Sequence, residues 1–582
     1  MDRERASTRV GQLGPPWLTV EFGLYLLLVL IAAFLRFWAL GSQPLQEKEA
    51  QLALDAWRFL TGNGGSIRGH SPLLFQGDVL LFLLFGASDY VARVLPTLVG
   101  SLMVGLPYLL RSHLGRRGAL ISAVLLTFFP TFVLFSRHLN GDIIASACGL
   151  VLLVGIFGYL ERGKASNLYL IAGALAVSLV AGGASYAMLL AFGGFFLSLF
   201  LYSRYGGKEE FILPGTGLRS APTRQTLLKA GGIFVALILL LSTGLLVNLQ
   251  GLQATLDLLP AWLSHFAPLV GGQPWHYYPS SLLAYELPVF VFGLAGIFYL
   301  ARRDLFCALL ACWFGTSLIL YSLMGTKPPS GLMQMLLPLT LLAGKTIGEL
   351  LSKVGEGQRW VWDRLVLLIS IPVIFQMMLQ LGAFTNPENP GDPRHLILVL
   401  LSVFFLTSLI VITGVLSLDW RSTLRTAGLV LLLITGALMV HTTWRLNYHQ
   451  PGNPLELLVE NPTSKDVRNL VRTIEETSNQ RERQRHSIDI TATLEESPLL
   501  DWYLRDFPDL TFSPGSLPLL SPVVITPLDE PAALSAYRGA RFRLQSSWRA
   551  ESMPAHALLG WYLYREALSP PMHYDIMMWV AP

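Results

Sequence analysis

LTVEFGLYLLLVLIAAFLRFWAL, residues 18–40, is an apolar run about 23 residues long, enough for one α-helix to cross the roughly 30 Å hydrocarbon layer of a bilayer. No small-residue cleavage site follows it, so it reads as a retained span and not as a signal peptide. Arg3, Arg5 and Arg9 precede it and set the N-terminus inside. Composition agrees. Hydrophobic residues make up 52% and charged residues 14% of the 582, and the mean hydropathy is +0.51, the balance of an integral membrane protein. The net charge of +4 is small; it belongs to loop lysines and arginines and makes no nucleic-acid surface. Cys148, Cys307 and Cys312 lie inside apolar runs, and no Cys/His cluster has zinc spacing.

Twelve further spans are expected near 89–110, 118–136, 143–160, 168–182, 184–202, 230–250, 283–301, 305–323, 332–351, 365–384, 395–416 and 426–444, thirteen in all. With an inside N-terminus, the basic stretches Arg111 to Arg117, Glu161 to Lys164, Arg204 to Lys229, Arg302-Arg303, Lys353 to Arg364 and Arg421 to Arg425 all fall inside. Leu73 to Gly86 is apolar but only about 14 residues long and interrupted by Asp78, too short to cross, and reads as a helix in the outer interface. The expected architecture is therefore an α-helical polytopic membrane protein: a cytoplasmic N-terminus over 1–17, a transmembrane domain over 18–444 with outer loops 41–88, 137–142 and 251–282, and an extracytoplasmic tail over 445–582. The tail is polar, with a helix expected over Ser464 to Asn479 and strands at Ser487 to Ile490 and Val523 to Thr526. That alternation predicts a small α/β domain, without a Gly-rich phosphate loop.

Acids collect on the outer side of this layout. Pro44-Leu45-Gln46-Glu47-Lys48-Glu49-Ala50 places two carboxylates at the start of a helical run against the membrane surface, where a bare carboxylate is costly unless solvated or used. Glu47 and Glu49 also suit the positive end of a helix dipole. Asp142, in Ser136-Arg137-His138-Leu139-Asn140-Gly141-Asp142, joins them from the second outer loop, either as a helix N-cap or as part of a site. The loop from Gly251 to Leu282 adds His265, Trp275, His276, Tyr277 and Tyr278, an interfacial aromatic belt or a binding face.

These residues carry a resemblance. The acidic first outer loop, His70-Ser71-Pro72-Leu73-Leu74, Ser88-Asp89-Tyr90-Val91-Ala92-Arg93-Val94-Leu95-Pro96 and the Ser136-Arg137 to Asp142 turn are similar to the GT-C membrane glycosyltransferases, which include protein O-mannosyltransferases and the aminoarabinose transferases of lipid A. More closely, the chain resembles the prokaryotic flippase-activity-associated, dolichyl-phosphate-mannose-protein mannosyltransferase-like subfamily, through Gln273 to Tyr278 with Tyr285-Glu286, Lys327-Pro328 and Leu337-Pro338-Leu339. In the tail, Asn461 to Val467 and Pro498 to Asp506 look like the subfamily's C-terminal domain.

The resemblance implies transfer of a sugar from a polyprenyl-phosphate donor to a glycan, lipid or protein acceptor, with an outer-loop acid as base and basic groups or a divalent metal offsetting the leaving phosphate. Glu49 and Asp142 then align with the family acids. Arg93, Arg137 and Lys327 become candidates for the donor phosphate, Arg93 also suiting a structural ion pair, with His70, His276, Tyr277, Tyr278 and Glu286 as further substrate contacts. Membrane lipids are the surrounding partner.

This chain departs from the pattern at three places. The usual His-His-Asp-Glu reads Gln46-Glu47-Lys48-Glu49, an expected arginine is Asn140, and a Lys-Glu pair is replaced by Gly183-Ala184. Glu47 would stand in for the missing acid, and Lys48 would pair with Glu49. A non-catalytic protein that binds lipid-linked glycan or assists its export is the alternative these departures keep open. An ion-coupled carrier fits less well, because the acids sit at the membrane edge and not at mid-membrane.

Overall fold

The computed structural model describes residues 19–205, 222–267, 273–352, 360–384, 392–417, 420–515, 521–528, 537–548, 561–562, 565 and 569–582. Arg3, Arg5 and Arg9, most of the stretch between Arg204 and Lys229, and the start of the Lys353 to Arg364 turn lie outside them. Among the described residues, ten helices are long and apolar enough to cross a membrane, from α1 (Val20–Phe37) to the helix that ends the bundle near His449. Two bent pairs, Arg116–Phe128 with Pro130–Ser136 and Tyr277–Tyr285 with Leu287–Leu300, bring the number to twelve if each is one span. The expected span near 168–182 falls on a shorter apolar helix, Ala165–Ala181, of 17 residues. This is a multi-pass membrane protein.

Two boundaries differ from expectation for local reasons. The span expected over 230–250 is the helix Arg224–Ser242, because Gly244, Leu245 and Leu246 all take positive φ and stop it early. The span expected over 283–301 is bent by 112° at Glu286, where Pro288 starts a new helix.

The stretches expected as outer loops 41–88 and 251–282 are largely helical. They hold α2 (Glu47–Thr61), α3 (Pro72–Phe85) and the helices Gln250–Ser264 and Tyr277–Tyr285. α3 has 14 residues and buries Asp78, as its length and composition imply for a helix that does not cross.

Breaks inside a membrane leave carbonyls without donors, and the fold supplies them from side chains. Pro130 has no N–H to offer Leu126, and the fully buried Arg36 of α1 donates to the Leu126 carbonyl at 2.9 Å instead. Thr443 Oγ1 donates to the Phe128 carbonyl at 2.5 Å. On the other side of the same bend, Glu286 Oε1 accepts from Thr131 N at 3.0 Å and so caps the helix Pro130–Ser136, which has no side-chain cap of its own.

The two ends of the bundle differ in charge and cover. One end carries Arg111 and Arg116 against Glu21, His113 against Glu161 and Lys345 against Asp304. The other carries α2, α3, the Arg137 to Asp142 turn and the C-terminal domain. That domain is a five-stranded sheet of β1 (Ile490–Ala492), β2 (Leu510–Phe512), β3 (Val523–Pro527), β4 (Arg538–Ser547) and β5 (Met572–Val580) in the order β2-β1-β3-β5-β4. β1 runs parallel to β2 and β3, while β5 is antiparallel to β3 and β4. Val467, Leu470 and Ile474 of the helix Asp466–Glu482 pack into the core of this sheet. Asp89 docks the domain by accepting from Arg468 at 2.6 Å, Trp502 Nε1 at 2.8 Å and Tyr503 at 2.8 Å.

Replacing Arg36 by Leu should leave the Leu126 carbonyl without its donor, a cost of roughly 1–3 kcal/mol. The expected outcome is a lower Tm of the purified protein in detergent, with Arg36→Lys falling less. An unchanged Tm for Arg36→Leu would show that the bend does not need this donor.

Candidate active site

α2 begins with its third residue, Glu49, folded back on the chain: Glu49 Oε2 accepts from the Gln46 N–H at 2.9 Å, as in a capping box. The same carboxylate is gripped by Arg93, whose Nε and Nη2 lie 3.0 Å and 2.5 Å from its two oxygens, and it accepts from Leu139 N at 2.6 Å. Burial alone would raise the Glu49 carboxyl, but Arg93, with help from His138 and these hydrogen bonds, holds it down at about 2. Arg93 spends its remaining N–H groups on the carbonyls of Leu40, Gln43 and Pro44. Both groups are therefore filled by protein. The expected Lys48–Glu49 pair is not formed; Arg93 is the partner of Glu49.

Successive helix residues point about 100° apart, and this sends the three charged residues of the α2 start three ways. Glu49 turns inward. Glu47 is exposed and accepts from Gln545 of β4 at 3.2 Å. Lys48 is exposed, within electrostatic reach of His265 and of Glu460.

Asp142 shares His265 with Lys48 as an electrostatic neighbour. It is the first residue of a 21-residue helix but does not cap it; its Oδ2 accepts from Ser330 Oγ at 2.6 Å, and the Ala184 N–H also donates to its carboxylate. Gly141 is required here, since a Cβ would stand 1.9 Å from the Ala181 carbonyl. The backbone at Gly183-Ala184 thus supplies a donor where the resembled family carries a charged pair. His265 lies within reach of Asp142 and bonds Thr326 Oγ1 at 2.7 Å. Burial, with Lys48, lowers the His265 imidazole, and Asp142 opposes the shift. Glu460 faces Lys48, Tyr277 and Tyr278, and no hydrogen bond or ion pair to its carboxylate is formed among the described residues. An acid facing cations at a membrane edge can accept a proton from one reactant while positive charge offsets a departing phosphate.

The remaining sequence candidates are distributed unevenly. Arg137 donates to the carbonyls of Leu35, Arg36, Trp38 and Ala39, closing the end of α1. His70 is buried against Asp55 at 2.8 Å. Tyr277 and Tyr278 donate to the carbonyls of Leu457 and Pro328, at 2.6 Å and 2.9 Å. Glu286 is fully buried in its bend, and His276 is exposed at the start of the helix Tyr277–Tyr285. Lys327 is buried, donates to the Met324 carbonyl at 2.5 Å and shares its short loop with Ser330. Asp142, Tyr278 and the loop of Lys327 are thus brought together, whereas Glu49, Arg93, Arg137, His70 and Glu286 are engaged within the fold. Ser330 and Glu460 carry no sequence signal. Among the described residues, no group of three or more His, Cys, Asp or Glu is placed to hold a metal ion.

Comparison with known proteins bears on this geometry. Residues 70–204 match the family model described as dolichyl-phosphate-mannose-protein mannosyltransferase. Over 400 residues the chain is 24% identical to undecaprenyl phosphate-alpha-4-amino-4-deoxy-L-arabinose arabinosyl transferase 1 of Pseudomonas fluorescens, covering 66% of this chain and 68% of that one. The structure is similar to ArnT from Cupriavidus metallidurans bound to undecaprenyl phosphate, with a TM-score of 0.53 at 14% identity over 87% of this chain and 93% of that one. The fold of this chain is therefore similar to that of ArnT. The apo form of the same ArnT matches at a TM-score of 0.52 and 15% identity, over 88% of this chain and 94% of that one. The likeness therefore covers most of the chain.

Because the folded Glu49 carboxyl titrates below its ordinary value, its contribution to stability is complete above about 4.5 and is lost as pH falls towards about 2. The difference in Tm between the wild type and Glu49→Gln should therefore shrink across that window. Arg93→Gln strands a buried carboxylate and should cost about 3–5 kcal/mol, while Glu49→Gln/Arg93→Gln should cost less than the two single changes summed. Additive losses would show that the two side chains do not act as a pair.

Proposed function

We propose that this protein transfers a sugar from a polyprenyl-phosphate donor to a hydroxyl or amine of a glycan, lipid or protein acceptor at the extracytoplasmic face of the membrane. The observation that carries this reading is Asp142, held by Ser330 and the Ala184 N–H and sharing His265 with Lys48 as an electrostatic neighbour, at the domain-bearing end of a bundle whose fold is similar to that of ArnT. ArnT from Cupriavidus metallidurans, whose fold is similar, binds undecaprenyl phosphate, and this supports a lipid phosphate as the donor class here.

In this mechanism the acceptor oxygen or nitrogen attacks the anomeric carbon as Asp142 takes its proton, and the bond from that carbon to the phosphate oxygen breaks. The electron pair leaves with the polyprenyl phosphate, whose added charge is offset by Lys48 and Lys327. Glu49 acts as a positioning residue, since its oxygens are already bonded by Arg93, Gln46 and Leu139. Glu460, within electrostatic reach of Lys48, offers a second acid to the acceptor. The same reading places the N-terminus and the basic end of the bundle inside and the C-terminal domain outside.

Membranes supplied with a panel of polyprenyl-phosphate sugars should transfer at least one of them. Asp142→Asn should lower that rate by about 10²-fold or more at unchanged Tm, the range of a lost general base. Glu47→Gln should be nearly silent, and Glu49→Gln should act through stability. Sugar transfer by Asp142→Asn at the wild-type rate would sink the assignment. Lipid binding without turnover of any donor in the panel would favour the accessory role.

Orientation has its own test. A cysteine at Gln480, exposed on the C-terminal domain, should react with a membrane-impermeant thiol reagent on intact cells, and one at Ser166, at the other end, should not. The reverse pattern would invert the layout.

A further inference from the structure

At its end the last membrane helix, Trp420–Trp444, widens into a π-helical turn, Arg445–His449. Such turns interrupt the regular helix and gather at functional places. Beside this one, between Trp420–Trp444 and the helix Trp360–Phe384, lies a cavity of about 70 Å³. Its membrane side is apolar, formed by Met378, Leu381 and Leu438, and its other side presents His441, Arg445 and Arg565.

Among the described residues the charges of this cavity do not balance: Glu456 is the one acid that lines it, and Glu456 Oε2 is taken by Arg565 Nε at 2.9 Å and by the Tyr285 hydroxyl at 2.6 Å. Arg565 is buried between Trp561, 4.2 Å from its guanidinium carbon, and Tyr285, at 5.3 Å. Arg445 makes no ion pair among the described residues, and its nearest charged neighbours are Arg565 and Glu456. A second guanidinium is thus held against a like charge, in a half-apolar site, with its donors unspent. Below it, Phe375 and Leu379 of the facing helix are exposed on the bundle surface, 64% and 52% respectively.

We propose that this cavity binds the phosphate head group of an anionic membrane lipid, with Arg445 as the ligand that decides affinity and the lipid tail lying along Phe375 and Leu379. Arginine suits the task because its planar fork bonds two phosphate oxygens at once, and basic pockets between membrane helices are a recurrent form of head-group site. A free anion would explain the arginines but not the apolar wall; a neutral lipid would explain the wall but not the unpaired charge. The site is separate from the one proposed around Asp142: the linker between them contributes Glu456 to one and Glu460 to the other.

The test uses the full chain purified in detergent, with bound lipid read by native mass spectrometry and by thermal shift. Phosphatidylglycerol should be retained and should raise Tm, phosphatidylcholine should do neither, and Arg445→Gln should weaken retention roughly tenfold or more, the loss expected for a charged hydrogen-bonding group. Should Arg445→Gln fail to purify, Arg445→Lys, which keeps the charge but not the fork, should weaken retention several-fold. Equal retention of the two lipids, or retention by the Arg445 variant at the wild-type level, would overturn the proposal. An Arg445-dependent shift produced by inorganic phosphate alone, and not increased by phosphatidylglycerol, would assign the site to a free phosphate and overturn the lipid.

Discussion

Glu49 and Arg93 are buried together, and four separate pieces of chain meet on them. Arg93 comes from the start of the span that begins at Asp89, Glu49 from α2, the carbonyls of Leu40, Gln43 and Pro44 from the turn after α1, and the Leu139 N–H from the turn that leads to Asp142. A charge pair buried this deeply gives little net stability by itself, because desolvation consumes most of the attraction. Its effect is on geometry. With every lone pair and N–H assigned, α2 has one rotation about its axis, and that rotation decides that Lys48 comes within reach of His265 and Glu460 and that Glu47 meets the C-terminal domain.

Polar residues inside the bundle follow the same economy. A membrane offers no water to a broken helix, so each break draws a side chain to it. Arg36 and Thr443 satisfy carbonyls at the Pro130 bend, Glu286 caps the helix beyond it, and Arg137 closes the end of α1. Other charges at that edge are paired with side chains, as Arg58 is with Asp501 and Arg468 with Asp89. Arg445 makes no ion pair among the described residues and lines a cavity, while the buried Asp78 carboxylate and Glu286 Oε2 also lack partners there.

This division explains what is visible in the sequence. Hydrophobic runs long enough to cross, and the parity of the basic turns between them, are properties of local segments, so each expected span falls on a helix, and the sheet lies in the tail where Ile490 and Val523 carry a strand pattern. The residues between 41 and 88 look like a loop in the sequence because α2 is amphipathic and polar at its start, and its helix depends on a capping contact completed by Arg93, 44 residues away. The site is legible only in outline. Asp142 and the Gln46 to Glu49 stretch are marked as candidates by their order along the chain, but whether Glu49, Lys48 or Glu47 turns towards His265 and Glu460 is a question of azimuth, which tertiary contacts fix. Glu460 is invisible in the sequence, since a lone acid in a polar linker carries no pattern.

That linker shows how the C-terminal domain takes part in a site otherwise built from the bundle. The stretch from Pro451 to Thr463 is tied down along its length: the Pro451 carbonyl accepts from Gln43, the Leu455 carbonyl from Trp561, the Leu457 carbonyl from Tyr277, and Thr463 donates to the Leu45 carbonyl. Three of these four partners belong to the bundle and its rim, and Asp89 holds the sheet beyond at the same edge. A side chain on so constrained a segment loses little further freedom when it meets a ligand. Glu460 is therefore presented to Lys48 by a fixed backbone, and the domain's first contribution is to clamp that linker across the rim of the bundle.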